Sequence, residues 1–256
     1  MSARGELDPA LERLKLVVAY DGTPFRGWQS QAGGDTVQDH IEAALAKICG
    51  GPVAIHGAGR TDAGVHALGQ CAHADVRRGT LPVAKWAAAL NANLPREIRI
   101  VKCSRAPRGF HARYSAKGKI YTYRICNAPA HSPFELQRSW HLPGALDIEA
   151  FKAAAKKLTG THDFAAFAAN RGMPVESTVR SVRSIKVTRR GEIVTVTFEG
   201  NGFLYKMARL LTGSMVRCAQ HRAPLEWIDE LLAARSGKKT SFAAPAEGLY
   251  LTRVVY

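Results

Sequence analysis

Gly59-Arg60-Thr61-Asp62-Ala63-Gly64-Val65-His66 places one carboxylate two residues after an arginine and between glycines. Beyond closing a turn, an aspartate so placed has three chemical uses: ligating a metal, moving a proton, or attacking an electrophilic carbon. Gly59 and Gly64 open backbone conformations closed to other residues, so a turn between two strands can hold Asp62 at a fixed angle. Arg60 favours the ionised carboxylate that a nucleophile must be. Metal-dependent phosphoester chemistry gathers several carboxylates, whereas the nearest other acid here is Asp75. Asp62, His66 and His73 make one conceivable ligand set, but there is no HExxH. The five cysteines are scattered without a CxxC, which argues against a disulfide framework or a structural zinc site. The plain alternative is local: Asp and Gly dominate turns through their own hydrogen bonding.

A lone acid is the more unusual because the chain is basic, with 36 Lys and Arg against 21 Asp and Glu and a formal charge of +15 over 256 residues. Such a balance points to a polyanion partner. From Ile98 to Phe134 there is no acid at all, while Arg99, Lys102, Arg105, Arg108, Arg113, Lys117, Lys119 and Arg124 fall inside. Two further acid-free windows run from Ser177 to Arg190 and from Gly200 to Leu225. Phe110, His111, Tyr114, Tyr121 and Tyr123 interleave the first window, and rings beside cations are what unstacked nucleotides bind. No apolar run approaches a membrane span, and MSARGELDPALERL lacks the apolar core of a signal peptide. A cytoplasmic protein with no membrane partner is expected.

The elements that must position these residues follow from periodicity. RLKLVVAYD reads as a strand, and a loop with Gly22, Pro24 and Gly27 follows it. Asp35 with Gln38 resembles a capping box, after which Val37, Ile41, Ala44, Leu45 and Ile48 recur at helical spacing until Gly50-Gly51. VAIHGA and LGQCAHADV flank the aspartate motif as strands, a helix spans Pro82 to Leu94, and IRIVKCS is a strand. In the second half KIYTYRI is a strand, Ile148, Phe151, Ala155 and Leu158 mark a helix, and SIKVTRRGEIVTVTFEG is a hairpin turning near Arg190-Gly191. Helices at Leu204 to Cys218 and LEWIDELLAA precede a last strand, GLYLTRVVY. The expected class is α+β: two similar halves, residues 1–108 and 109–256, with mostly antiparallel mixed sheets, helices on one face and an active-site cleft between them.

Several motifs in order carry a resemblance. AGRTDAGVHALGQCAHAD, with YDGTPFRGWQSQ before it and NANLP and FHARYSAKGKIYTYRI after it, is similar to the tRNA pseudouridine synthase A family, which modifies the anticodon stem-loop. The likeness continues through THDFAAF, NGFLYKMARLLTG and AEGLYL and covers the chain from Leu14 to Tyr256. It implies that Asp62 is the nucleophilic aspartate and that Arg60 acts at the flipped-out nucleotide. Tyr121 then lies against the target base, Arg209 pairs with the aspartate, and Leu249 is the apolar residue beneath the base. Phe110, His111, Ala112, Arg113 and Tyr114 match the RNA-contacting segment, and Arg171 falls in a loop that contacts tRNA. The resemblance further implies isomerisation of uridine to pseudouridine at tRNA positions 38 to 40, with no cofactor, no metal and a homodimer. KMAR stands where many relatives read MVR, and Ala208 is smaller than valine, a change that touches packing.

Two other functions fit some of these residues. An RNA-binding module without catalysis would use the basic segments and leave Asp62 as a turn residue. A metal-dependent hydrolase would use Asp62, His66 and His73.

Overall fold

The computed structural model describes residues 8–170, 176–233 and 239–256. Arg171 lies outside them. The chain divides into two compact units, one of residues up to Lys117 together with Leu251–Tyr256, the other Gly118–Tyr250.

In the first unit, β1 (Leu11–Tyr20) alternates strictly. Leu14, Leu16, Val18 and Tyr20 are buried on one face, while Arg13 and Lys15 stand on the other. Next come α1 (Val37–Cys49), β2 (Ile55–Gly57), β3 (His66–Arg77), α2 (Val83–Asn91) and β4 (Ile98–Arg105), the expected βαββαβ order. Strand β1 is central, antiparallel to β3 on one side and β4 on the other, and β2 extends the sheet antiparallel to β3. Val37, Ile41, Ala44 and Leu45 of α1, with Trp86 and Leu90 of α2, are buried. The larger aliphatic side chains among them, such as Val37, Ile41, Leu45 and Leu90, each contribute roughly 1.5–3 kcal/mol through loss of contact with water.

The second unit begins with β5 (Gly118–Cys126), β6 (Trp140–His141), α3 (Ile148–Lys157) and β7 (Gly160–Asp163). It continues through β8 (Val179–Arg190), β9 (Ile193–Gly200), α4 (Met207–Ala219) and α5 (Glu226–Ala233). Its sheet runs β5-β9-β8-β7, antiparallel throughout, with the two-residue β6 parallel to β5. The register sets Tyr121, Tyr123 and Ile125 opposite Phe198, Val196 and Val194, so one face of both strands is continuous core. Strand β10 (Leu249–Val255) starts in this unit and runs on into the first, where it lies beside β3.

Three details differ from the sequence reading. The capping box is Thr36 with Asp39, each side chain bonded to the other's backbone amide. Asp35 instead takes a left-handed backbone (φ 57°), and Gln38 is released for other work. The first unit extends past residue 108 because residues 106–117 bond back onto it: Ala106 N donates to Arg13 O and Lys117 N to Val255 O. Strands β6 and β7 are too short to show a period and appear only through their partners.

Removing the cap is expected to matter in the ordinary range. Thr36→Ala should lower stability by about 1 kcal/mol, seen as a lower denaturant midpoint with an unchanged slope.

Candidate active site

The aspartate loop joins β2 to β3, and its shape is set by a second loop, residues 21–31, laid against it. Val65 N donates to Asp62 O (3.1 Å), and Gly64 at the third position has φ +75°. Asp62-Ala63-Gly64-Val65 is thus a type II turn, whose third residue must accept positive φ. Glycines of the other loop let its backbone come close. A Cβ on Gly22 would sit 2.1 Å from Val65 O, and one on Gly27 2.5 Å from Thr61 O. Gly27 also has φ +94°, a second reason for glycine there.

Hydrogen bonds complete the contact. Trp28 N donates to Thr61 O (3.1 Å), and the buried Tyr20 hydroxyl pairs with Thr61 Oγ1 (2.8 Å). Gly22 N donates to Nδ1 of the buried His66 (3.0 Å), which fixes that nitrogen as an acceptor. Asp21 Oδ1 approaches the same atom to 3.1 Å, a contact that becomes an ion pair only on protonation of the ring. From beneath, Gln70 Nε2 on β3 donates to Gly59 O (2.7 Å).

Arg60 is exposed, and its Nε donates to Gln29 Oε1 (3.1 Å). That contact heads a relay of amides. Gln29 Nε2 donates to Gln38 Oε1 (2.7 Å), Gln38 Nε2 to Glu42 Oε1 (2.9 Å), and Ile55 N to the same carboxylate oxygen (2.9 Å). Helix α1 therefore orients the guanidinium two residues from Asp62. The Asp62 carboxylate is half-buried, on a turn held at both ends.

Tyr121, Arg209 and Leu249 all belong to the second unit. Tyr121 is 8% exposed and meets the Phe203 ring edge-on at 5.0 Å between centroids. Arg209, in the first turn of α4, donates from Nε to Ala244 O (2.7 Å) and accepts Ala244 N on its own carbonyl (3.0 Å). Gly213 allows this approach, because a Cβ there would meet Phe242 O at 2.1 Å. Tyr123 OH donates to Pro245 O (2.7 Å), and burial pushes its ionisation well up, against the pull of Arg209. Gly248 rests where a Cβ would be 2.6 Å from the Tyr123 ring, which sets the backbone entering Leu249, itself 6% exposed.

The family profile described as tRNA pseudouridine synthase matches residues 16–115 and 154–256. The tRNA pseudouridine synthase A of Akkermansia muciniphila is 47% identical over 253 residues, 96% of each chain. That of Syntrophotalea carbinolica is 43% identical over 243 residues, 95% of this chain and 96% of the other. This chain belongs to the tRNA pseudouridine synthase family. As a tRNA pseudouridine synthase it is an isomerase that converts uridine to pseudouridine in tRNA. An archaeal box H/ACA sRNP Nop10-Cbf5 complex shares 14% identity at a TM-score of 0.37, over 80% of this chain and 43% of that one, too distant to bear on chemistry.

Residues 108–115, which include the Phe110–Tyr114 motif, are fastened to the Arg13/Lys15 face of the first unit. Arg13 forms a two-bonded ion pair with Asp75 (2.6 and 2.7 Å) and spends Nη1 on the carbonyls of Arg108 (2.9 Å) and Phe110 (2.6 Å). Tyr256 OH donates to Ala112 O (2.7 Å), and Lys15 Nζ lies 3.9 Å from the Tyr256 ring centroid and 4.9 Å from that of Phe110. Ala112 N donates to Nδ1 of His73, which is 2% exposed (3.2 Å). Arg13, Asp75, His73, Lys15 and Tyr256 were not evident as a group from sequence; the β1/β3 register, which pairs Arg13 with Asp75 and Lys15 with His73, assembles them. Among the described residues no three His, Cys, Asp or Glu side chains are grouped to hold a metal ion. No helix is long and apolar enough to cross a membrane among those residues.

Burial, then Arg13, His111 and His56, hold His73 down from 6.5 to about 4, with Asp75 opposing. The unfolded chain therefore binds one more proton than the folded chain between those values, so stability rises with pH across that window. The stabilisation is complete above pH 6.5 and lost as pH falls toward 4. Unfolding titrations should show a steeper loss between these limits in the native chain than in His73→Asn, which has no imidazole to protonate.

Proposed function

We propose that the chain acts on uridines on the 3′ side of the anticodon stem-loop, tRNA positions 38 to 40, with Asp62 as nucleophile. The observation that carries the reading is the interlocked type II turn, which holds a single half-buried carboxylate at a fixed angle in a chain of charge +15. An acid facing RNA phosphates is electrostatically unfavourable, so a fold that secures it from two sides favours a chemical use. Isomerisation breaks the N-glycosidic bond, turns the uracil and rejoins it through C5. A carboxylate serves by adding at uracil C6 or at ribose C1′, once the nucleotide has left the stem.

The remaining roles follow from the side chains themselves. Arg60 and Arg209 are the cations of the reaction. Arg60 is oriented by Gln29 and suits a phosphate or a displaced nucleotide, while Arg209 is fixed by backbone and suits a carboxylate that must stay ionised. Tyr121 and Leu249, both nearly buried, offer a ring and an apolar surface to the uracil. No cofactor or metal takes part in this scheme. Phe110 to Tyr114 bind RNA, and we assign Arg171 the same task from the family pattern. The protein works in the cytoplasm as a homodimer. A non-catalytic RNA-binding role is the second reading, favoured by the basic 98–134 segment alone.

Tritium release from tRNA transcripts carrying [5-³H]uridine, with EDTA present, separates the two. Asp62→Ala should bind tRNA as the native chain does but lose release by on the order of 10⁴-fold or more. Retained release would overturn the role of Asp62, and no release by folded native protein would leave the binding module. Light scattering at micromolar concentration should give twice the chain mass; a monomer would end the homodimer reading.

A further inference from the structure

Tyr114 is an anomaly on the first unit: a large ring left 73% exposed in a segment that is otherwise tightly fastened. It does not stand alone. Its ring lies on that of His111 at 4.3 Å, inclined by 35°. His111 meets His73 at 4.6 Å, and His73 stacks on His56 at 5.0 Å and 30°. Four rings thus form a continuous column that runs from β2 and β3 out to a solvent-facing tyrosine. Its outer member carries an exposed guanidinium nearby, Arg113, 5.7 Å from the Tyr114 centroid.

The backbone is built to hold this column. Arg113 N and Tyr114 N both donate to His111 Nδ1 (3.1 and 3.3 Å), and Ala112 N donates to His73 Nδ1. Three successive amides are therefore spent on two imidazoles, and both rings must present a bare Nδ1. Their surroundings favour this state, since burial and neighbouring cations depress the protonation of His73 and His111. Ser115 Oγ accepts His111 N (3.0 Å) and closes the turn. With Arg13 and Tyr256 anchoring residues 108–112, the outer ring is held without having to order on contact, which lowers the entropic cost of binding.

We propose that the Tyr114 ring, backed by His111, is a stacking platform for an unpaired nucleobase of the RNA substrate. This rests on the RNA reading above and adds the mode of contact. A base has a π-face whatever its identity, so such a platform adds affinity with little sequence preference. A protein partner is the less suited occupant, because the cation beside the ring, the exposed Arg113, suits a backbone phosphate.

The test compares tRNA affinity, salt dependence and tritium release in three variants. Tyr114→Ala should weaken binding by roughly 5- to 150-fold, the equivalent of one base stacked on an aromatic ring, with the salt slope unchanged. Tyr114→Phe, which keeps the ring, should bind within about twofold of native. Arg113→Ala should instead reduce the salt slope by about 1, as loss of a phosphate contact does. Native-like binding by Tyr114→Ala would overturn the platform, as would an equal loss in Tyr114→Phe or a reduced slope in Tyr114→Ala. If the native chain binds tRNA and the ranking holds but no tritium is released, the platform stands and the catalytic reading falls. Because Tyr114 is exposed, its variants should keep the native unfolding midpoint; His73→Asn, whose Oδ1 replaces the Nδ1 acceptor, should retain affinity where His73→Leu loses it.

Discussion

The architecture around Asp62 depends on how near one stretch of backbone can come to another. Residues 21–28 lie so close to residues 61–65 that a single methyl group on Gly22 would overlap a carbonyl oxygen. Bare backbone on one side lets amides and carbonyls pair across the gap, and the paired groups in turn define the turn that carries the carboxylate. A loop bounded only by its own ends samples many conformations; one bonded along its length to a neighbour keeps one. Positioning of this kind supplies much of the rate advantage of a catalytic group, because the orientational entropy is lost during folding rather than at reaction. The glycines of YDGTPFRGWQSQ and GRTDAGVH are thus two halves of one device.

Much of this was legible in the chain, in uneven ways. Strong periodicity located β1, α1, α3 and β9, since burial on one face leaves a mark at every second or every third to fourth residue. The cap of α1 fell one residue later than expected because Asp35, Thr36 and Asp39 are all capable acceptors, and only the left-handed backbone at Asp35 decides among them. The aspartate motif stood out by composition. The glutamine relay from Arg60 to Glu42 did not, because neutral amides make no charge pattern and their partners are set by tertiary approach. Gln70 was hidden for the same reason. Residues 109–117 read as the start of a second half, whereas long-range bonds to Arg13 and Val255 assign them to the first unit.

Charge was the most informative number and also needed correction in space. Acid-free stretches of sequence are not acid-free neighbourhoods. Arg105 pairs with Glu12, Arg124 with Glu135 and Arg183 with Glu199, each across a strand pairing or a loop. Local sequence therefore overstates the field offered to a polyanion, and the cations of greatest interest are those whose fold leaves them exposed, such as Arg60 and Arg113. Others, Arg13 above all, are structural: four of its five donors join β1 to β3 and to residues 108–110.

The path of β10 has a bearing on how the protein comes to exist. The first unit draws its outer strand, and the tyrosine that grips Ala112, from residues that follow the whole of the second unit in the chain. During synthesis the ribosome delivers the aspartate loop early and its last supporting strand late. The nascent first unit therefore waits, lacking the strand beside β3, until Leu251 to Tyr256 have emerged. Order of manufacture and order of completion are opposite in this protein, so the bond from Tyr256 that fastens Ala112 forms only after the second unit has been made.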